Sequence, residues 1–225
     1  MKRIGMLVAV EMGAVLSRYG KAMAEETRCG FRVFTYDMGE YLLYVIGSGA
    51  GEIAAAAACQ LLIDRYEAEL VVNFGVVGGL TAEMARTKTC VVEKVVHYDF
   101  DTSAYDGTVP GQYCEYPDVY LPATAELVRR AREIAPELKP VICASADKFV
   151  DGKEAKSALH ERFGADICEM EAAAVVLTCN RSGVPCLLIK TVSDGLAGGA
   201  EEFGVALRHT SELCLAVADK IIREL

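Results

Sequence analysis

The chain has 225 residues, the length of one large domain, and can bury roughly 70% of the surface its unfolded form exposes without a disulfide or metal staple. A formal charge of −9 leaves no basic face for a phosphate backbone and argues against nucleic acid as a partner. Nine cysteines, none closer in sequence than Cys179 and Cys186, exclude a C-x-x-C pair and read as small buried hydrophobes in a reducing compartment.

In chain order, IGMLVAV (4–10) has the continuous apolar character of a strand buried on both faces. Glu11 ends it with no cleavage-site pattern, and no apolar run approaches the ~18 residues of a membrane span. The chain therefore reads as cytoplasmic, with no membrane partner. FRVFTYDM (31–38) and YLLYVIG (41–47) form a hairpin pattern around Gly39-Glu40. The alanine-rich run 52–66 predicts a helix. LVVNF (70–74) predicts a buried strand ending in the cluster GVVGG, and 89–101 a strand running out into polar residues. Residues 102–121, with Pro110, Gly111 and Pro117, predict a long loop. Then come an amphipathic helix (123–135), a strand (140–146), a polar helix (152–164), a helix opening at CEMEAAAV (168–183), a buried strand (185–195) and a final helix (201–225). Strands alternating with helices, with no linker or repeat, predict a single α/β domain over 1–225 with a mixed central sheet flanked by helices.

GSGAG (47–51) and GVVGG (75–79) are the glycine clusters through which a backbone approaches a ligand at strand ends. A dinucleotide fingerprint fails, because its third glycine would fall on Glu52. In HYDFD, His97, Asp99 and Asp101 alternate onto one face of a strand, which resembles a metal half-site; with no further His or Cys at supporting spacing, the better reading is a hydrogen-bonded strand end and no metal. CEMEA places Glu169 and Glu171 at a predicted helix start. The positive end of the helix dipole favours each by under ~1 kcal/mol, which does not account for a carboxylate set among buried alanines. SDG (193–195) ends an apolar strand, where an aspartate either caps a turn or faces a site.

Taken in order, IGMLVAVE, GSGAGEIAAA, NFGVVGGL, SADKFVDG, CEMEAAAV and VSDG resemble the nucleoside phosphorylase/nucleosidase superfamily, in particular its 5′-methylthioadenosine/S-adenosylhomocysteine nucleosidases, over nearly the whole chain. The resemblance implies a three-layer α/β/α fold, a small purine nucleoside as substrate, no cofactor, and a homodimer. It implies that Asp194, oriented by Ser193, protonates the departing purine at N7. Glu171 holds the ribose hydroxyls, Met170 packs on the ribose, and Glu169 lines the same site. Phe149 stacks on the base and the Val150 backbone meets its edge. Glu11, Gly75, Val76 and Lys190 stand on the side of the attacking water.

Three positions depart from that branch. Gly13 replaces a glutamate that helps hold the water, Lys190 an arginine, and Val76 a serine. Glu11 is then the carboxylate left to reach the water from its own position. A phosphorylase would need a basic cradle, for which only Arg18, Arg86 and Lys190 offer cations. Hydrolysis with release of adenine is the leading reading. The alternatives are a related hydrolase or phosphorylase acting on another purine nucleoside, and a homologue that binds a nucleoside without cleaving it.

Overall fold

Strands and helices alternate along the chain in the computed structural model, which describes residues 1–225. In order they are β1 (Lys2–Val8), α1 (Met12–Tyr19), β2 (Ala24–Arg28), β3 (Phe31–Asp37), β4 (Tyr41–Gly47), α2 (Glu52–Tyr66), β5 (Leu70–Gly79), β6 (Thr89–His97), α3 (Ser103–Asp106) and β7 (Tyr120–Pro122). There follow α4 (Ala125–Ile134), β8 (Lys139–Ser145), α5 (Lys153–Phe163), β9 (Ile167–Glu169), α6 (Ala172–Ser182), β10 (Cys186–Asp194) and α7 (Ala200–Glu224). One mixed sheet holds all ten strands, in the order β10-β6-β8-β9-β5-β1-β4-β3-β2, with β7 on β6. Because β10 also pairs with β5, the strands β5, β10, β6, β8 and β9 close into a ring. Helices α2 and α6 pack on each other, while α7 lies over β5 and β10 with α1 and α4 against it.

The apolar strands form where expected because both faces are covered: every residue of β5 and of β10 is buried. One core cluster of 53 buried residues runs from Ile4 to Ile222. Seven of the nine cysteines lie in the interior as free thiols, while Cys29 and Cys114 are exposed. No helix is long and apolar enough to cross a membrane.

The structure departs from the sequence pattern at four places that bear on the site. The GVVGG segment is no loop, since β5 continues through it to Gly79. Glycine is needed there for close approach: a Cβ on Gly78 would stand 3.0 Å from the Cys168 sulfur and 3.3 Å from Asp194 Oδ2, and one on Gly79 would lie 2.1 Å from the Met84 carbonyl. CEMEA does not start a helix either. Residues 167–169 form a short strand between β5 and β8, and α6 begins at Ala172. The flanking strands offer ladder partners on both sides to Ile167, Cys168 and Glu169, so these pair as a strand and only the alanine run that follows turns helical. Strand β6 ends at His97, so the alternation in HYDFD breaks. His97 bonds the Tyr113 hydroxyl (2.7 Å) and faces Asp99 (3.1 Å), while Asp101 accepts from the Ser103 N–H. Finally, the loop 102–121 contains the one-turn α3 and enters β7.

Candidate active site

A cleft of about 270 Å³ opens beyond the carboxyl ends of β1, β5, β8, β9 and β10, the place where α/β sheets bind ligands. Chain crossings, rather than any local motif, assemble it. The β1–α1 turn supplies Ala9, Val10 and Glu11; β5 supplies Val76, Val77 and Gly78; the segment after β8 supplies Lys148, Phe149 and Val150. The β9–α6 junction brings Cys168, Glu169, Met170 and Glu171, β10 ends in Ser193 and Asp194, and Ala50 and Phe203 complete the wall.

Glu11 is 4% exposed and fills the role of a local anchor. Its Oε2 accepts from the N–H groups of Ala9 (3.1 Å) and Val10 (2.9 Å), and its Oε1 from that of Val76 (2.9 Å). Gly75 lies directly beneath, where a Cβ would come within 2.8 Å of Oε1. Gly75 therefore admits the carboxylate and does not line the cleft itself.

At the β9–α6 junction the two glutamates of CEMEA divide their tasks. Glu169 turns inward: it accepts from the backbone N–H groups of Glu171 (3.1 Å) and Ala172 (3.0 Å), capping α6 from two residues ahead, and from Lys190 Nζ (3.0 Å). Burial alone would raise its pKa, but the Lys190 ammonium and these donors outweigh burial and hold the carboxyl below its usual range. Burial likewise disfavours the charge on Lys190, and the carboxylates of Glu169 and Glu171 overcome it and keep the ammonium protonated. Lys190 thus sits behind Glu169, away from the cleft surface, because the carboxylate in front of it takes its charge.

Glu171, at the N-cap of α6, faces the cleft and accepts one bond, from the Gly51 N–H (2.9 Å). Burial first, and then the charge of Glu169, push its pKa up to about 8. A third carboxylate stands nearby, marked by no local sequence pattern. Glu52, the first residue of α2, accepts from Ser145 Oγ (2.5 Å) and the Ala174 N–H (2.6 Å), and burial together with Glu169 raises it to about 7.

Asp194, the last residue of β10, is 2% exposed and bonded at both oxygens, Oδ1 to Ser193 Oγ (2.7 Å) and Oδ2 to Lys156 Nζ (2.5 Å). The β5–β10 register shifts between Val192 and Asp194, a bulge at Ser193 that turns the strand end at the site. Phe149, 43% exposed at the mouth, meets Phe203 of α7 edge-to-face at 5.5 Å. Phe203 and Lys156 stand in helical patterns with no local sequence mark of a site.

The cations weighed as phosphate ligands are engaged elsewhere. Arg18 pairs with Asp219 at 2.6 Å, Arg86 faces Glu202 at 3.5 Å, and Lys190 is held by Glu169. Four carboxylates line the cleft against one cation, Lys148, which gives a sugar and a neutral base a better welcome than an anion. The cleft gathers a carboxylate bonded by a hydroxyl and an ammonium, a half-exposed aromatic ring and further carboxylates.

Comparison with known proteins agrees with that chemistry. A family model described as the phosphorylase superfamily matches residues 3–223. A 5′-methylthioadenosine/S-adenosylhomocysteine nucleosidase of Shewanella halifaxensis is 31% identical over 179 residues, 75% of this chain and 77% of that one. An aminodeoxyfutalosine nucleosidase of Campylobacter jejuni is 30% identical over 163 residues, 69% of each. The structure of the 5′-methylthioadenosine/S-adenosylhomocysteine nucleosidase from Helicobacter pylori with butyl-thio-DADMe-Immucillin-A matches with a TM-score of 0.93 at 27% identity, over 100% of this chain and 99% of that one. Sequence, fold and cleft chemistry converge: the chain belongs to the phosphorylase superfamily and is an N-glycosyl hydrolase of the nucleosidase kind.

Proposed function

We propose that the protein hydrolyses 5′-substituted adenosines of the methylthioadenosine and S-adenosylhomocysteine type, releasing adenine. The observation that carries the reading is the gathering in one cleft of Asp194, Phe149, Met170, Glu171 and Glu11. The purine stacks on Phe149 and meets the Val150 backbone. As the C1′–N9 bond breaks, its electron pair leaves with the purine, whose N7 takes the proton of Asp194. The ribose acquires oxocarbenium character, which Glu171 steadies through the sugar hydroxyls. Water adds to C1′ and gives up its proton toward Glu11, whose anchored carboxylate takes the place of the glutamate absent at Gly13. Glu169, Ser193, Gly75, Val76 and Lys190 support these groups from behind or beside.

The lack of a free arginine in the cleft favours water over phosphate as the acceptor. Two copies pair through the exposed apolar side chains of Ile53, Tyr105 and Val109, and the seven buried free thiols suit a cytoplasmic setting. The test is adenine release from 5′-methylthioadenosine with and without phosphate, beside S-adenosylhomocysteine and aminodeoxyfutalosine. Phosphate-independent release is expected, falling by about 10²-fold or more in Asp194→Asn. A phosphate requirement, or an Asp194→Asn enzyme as fast as the parent, overturns the reading.

A further inference from the structure

Lys156 is a fully buried lysine in α5. Its Nζ has three acceptors: Asp194 Oδ2 at 2.5 Å, the Gly195 carbonyl at 2.8 Å and the Gly198 carbonyl at 3.0 Å. Three acceptors for three N–H groups specify the ammonium, since a neutral amine has only two protons to give. The two carbonyls belong to the turn that joins β10 to α7, closed by the Gly198 N–H on the Gly195 carbonyl. That turn carries Asp194 at one end and leads to Phe203 at the other, so one cation fixes both the carboxylate and the approach to the stacking pair.

No other charge competes for the pair. The Cys168 thiol on β9 lies alongside, but burial pushes its pKa up to about 12 and it stays neutral. Glu202 of α7 is occupied by the Gly195 N–H at 2.9 Å and faces Arg86. Asp151 abuts Gly199 beyond the turn, and the charge of Glu169 is taken by Lys190. On the side of β5 the pair faces Gly78, which brings no charge.

We infer that Lys156 is the positioning residue of the acid: it holds one oxygen of Asp194 while Ser193 holds the other, and it supplies in advance the counter-charge for the carboxylate left by proton transfer to the purine. The inference rests on the reading of Asp194 as the acid. When the proton passes from Asp194 to N7, the new carboxylate faces an ammonium already in place, and no solvent has to reorganise around it. A variant without the cation would leave the new carboxylate buried and unpaired, which disfavours the transfer of the proton.

The experiment is the pH profile of adenine release from 5′-methylthioadenosine by Lys156→Met, beside Lys156→Arg, Asp194→Asn and the Lys156→Met/Asp194→Asn pair. Expected are a fall in kcat of about 10- to 100-fold in Lys156→Met with KM little changed, and an alkaline limb displaced upward by about one pH unit or more. Lys156→Arg should keep the parental limb. In the Asp194→Asn background the second substitution should slow the residual reaction no further; that pair removes both charges and serves if Lys156→Met alone does not fold. A Lys156→Met profile that superimposes on the parent after scaling, or an equal slowing with and without Asp194, overturns the inference. Parental activity in Asp194→Asn alone would instead overturn the assignment of the acid.

Discussion

Glu171→Gln separates the electrostatic state of the cleft from its shape. Glutamine is isosteric, and its Oε1 can still accept the Gly51 N–H that the glutamate accepts at 2.9 Å. What changes is the proton. A carboxyl that titrates at 4.5 in the unfolded chain and at about 8 in the folded one binds its proton more tightly when folded. Its contribution to stability is then fully present below the lower value and is lost as the pH rises through the upper one. At about 1.4 kcal/mol per pH unit the ceiling is about 5 kcal/mol. Glu52 and Glu169 answer to the same charge, so a loss of about 2 kcal/mol between pH 5 and pH 8 is the working figure. The amide has no such loss. Relative to the parent, the variant should gain about 4–8 °C in Tm on going from pH 5 to pH 8. The assay is thermal unfolding of the ligand-free proteins at several pH values, with adenine release measured in parallel. Activity should fall most as the pH rises through about 8, where the parent's carboxylate gains the charge that steadies the ribose and the amide cannot. A Tm difference that is the same at pH 5 and pH 8 would refute the argument, since Glu171 would then carry the same charge at both.

Two further outcomes follow from the same contacts. Lys190→Met leaves Glu169 buried beside no cation, and loss of one partner of a buried pair destabilises by about 3–5 kcal/mol, so Tm should drop on the order of 10 °C at neutral pH; a drop within error would mean that backbone donors alone hold the carboxylate. Sedimentation equilibrium should give twice the 24.2 kDa chain mass, and Ile53→Glu should shift the population toward the single chain; a parent that sediments as one chain at micromolar concentration removes the proposed pairing.

The sequence carried the long elements and the cleft's main residues, and failed where geometry is non-local. Helix α2 and strands β4, β5 and β10 were legible because their burial imposes long apolar or alanine-rich runs. Helix α1 has eight residues and two of them buried, too short a stripe to stand out, and β2 shows only the mostly exposed pattern of an edge. The three residues of β9 take their conformation from the strands beside them, so CEMEA passed for a helix start. Met170 and Glu171 still reach the cleft, because the chain turns there whichever element precedes them. Lys156 was invisible for a different reason: within KEAKSALHERF it is one more charge on a polar helix, and only the packing of α5 against the β10–α7 turn buries it.

The ring of strands bears on how the molecule behaves in a crowded solution. Where β5, β10, β6, β8 and β9 close on one another, the ladder groups of that part of the sheet already have partners and offer no template to a foreign chain. The sheet path instead terminates at β2, and its sequence AEETR answers the hazard. Arg28 pairs with Glu26 at 2.7 Å, and Glu25 is matched by Arg32 of the neighbouring strand. An incoming strand would have to strip water from those charges before gaining a single backbone bond, so the margin most open to fibril growth is also the one least suited to it.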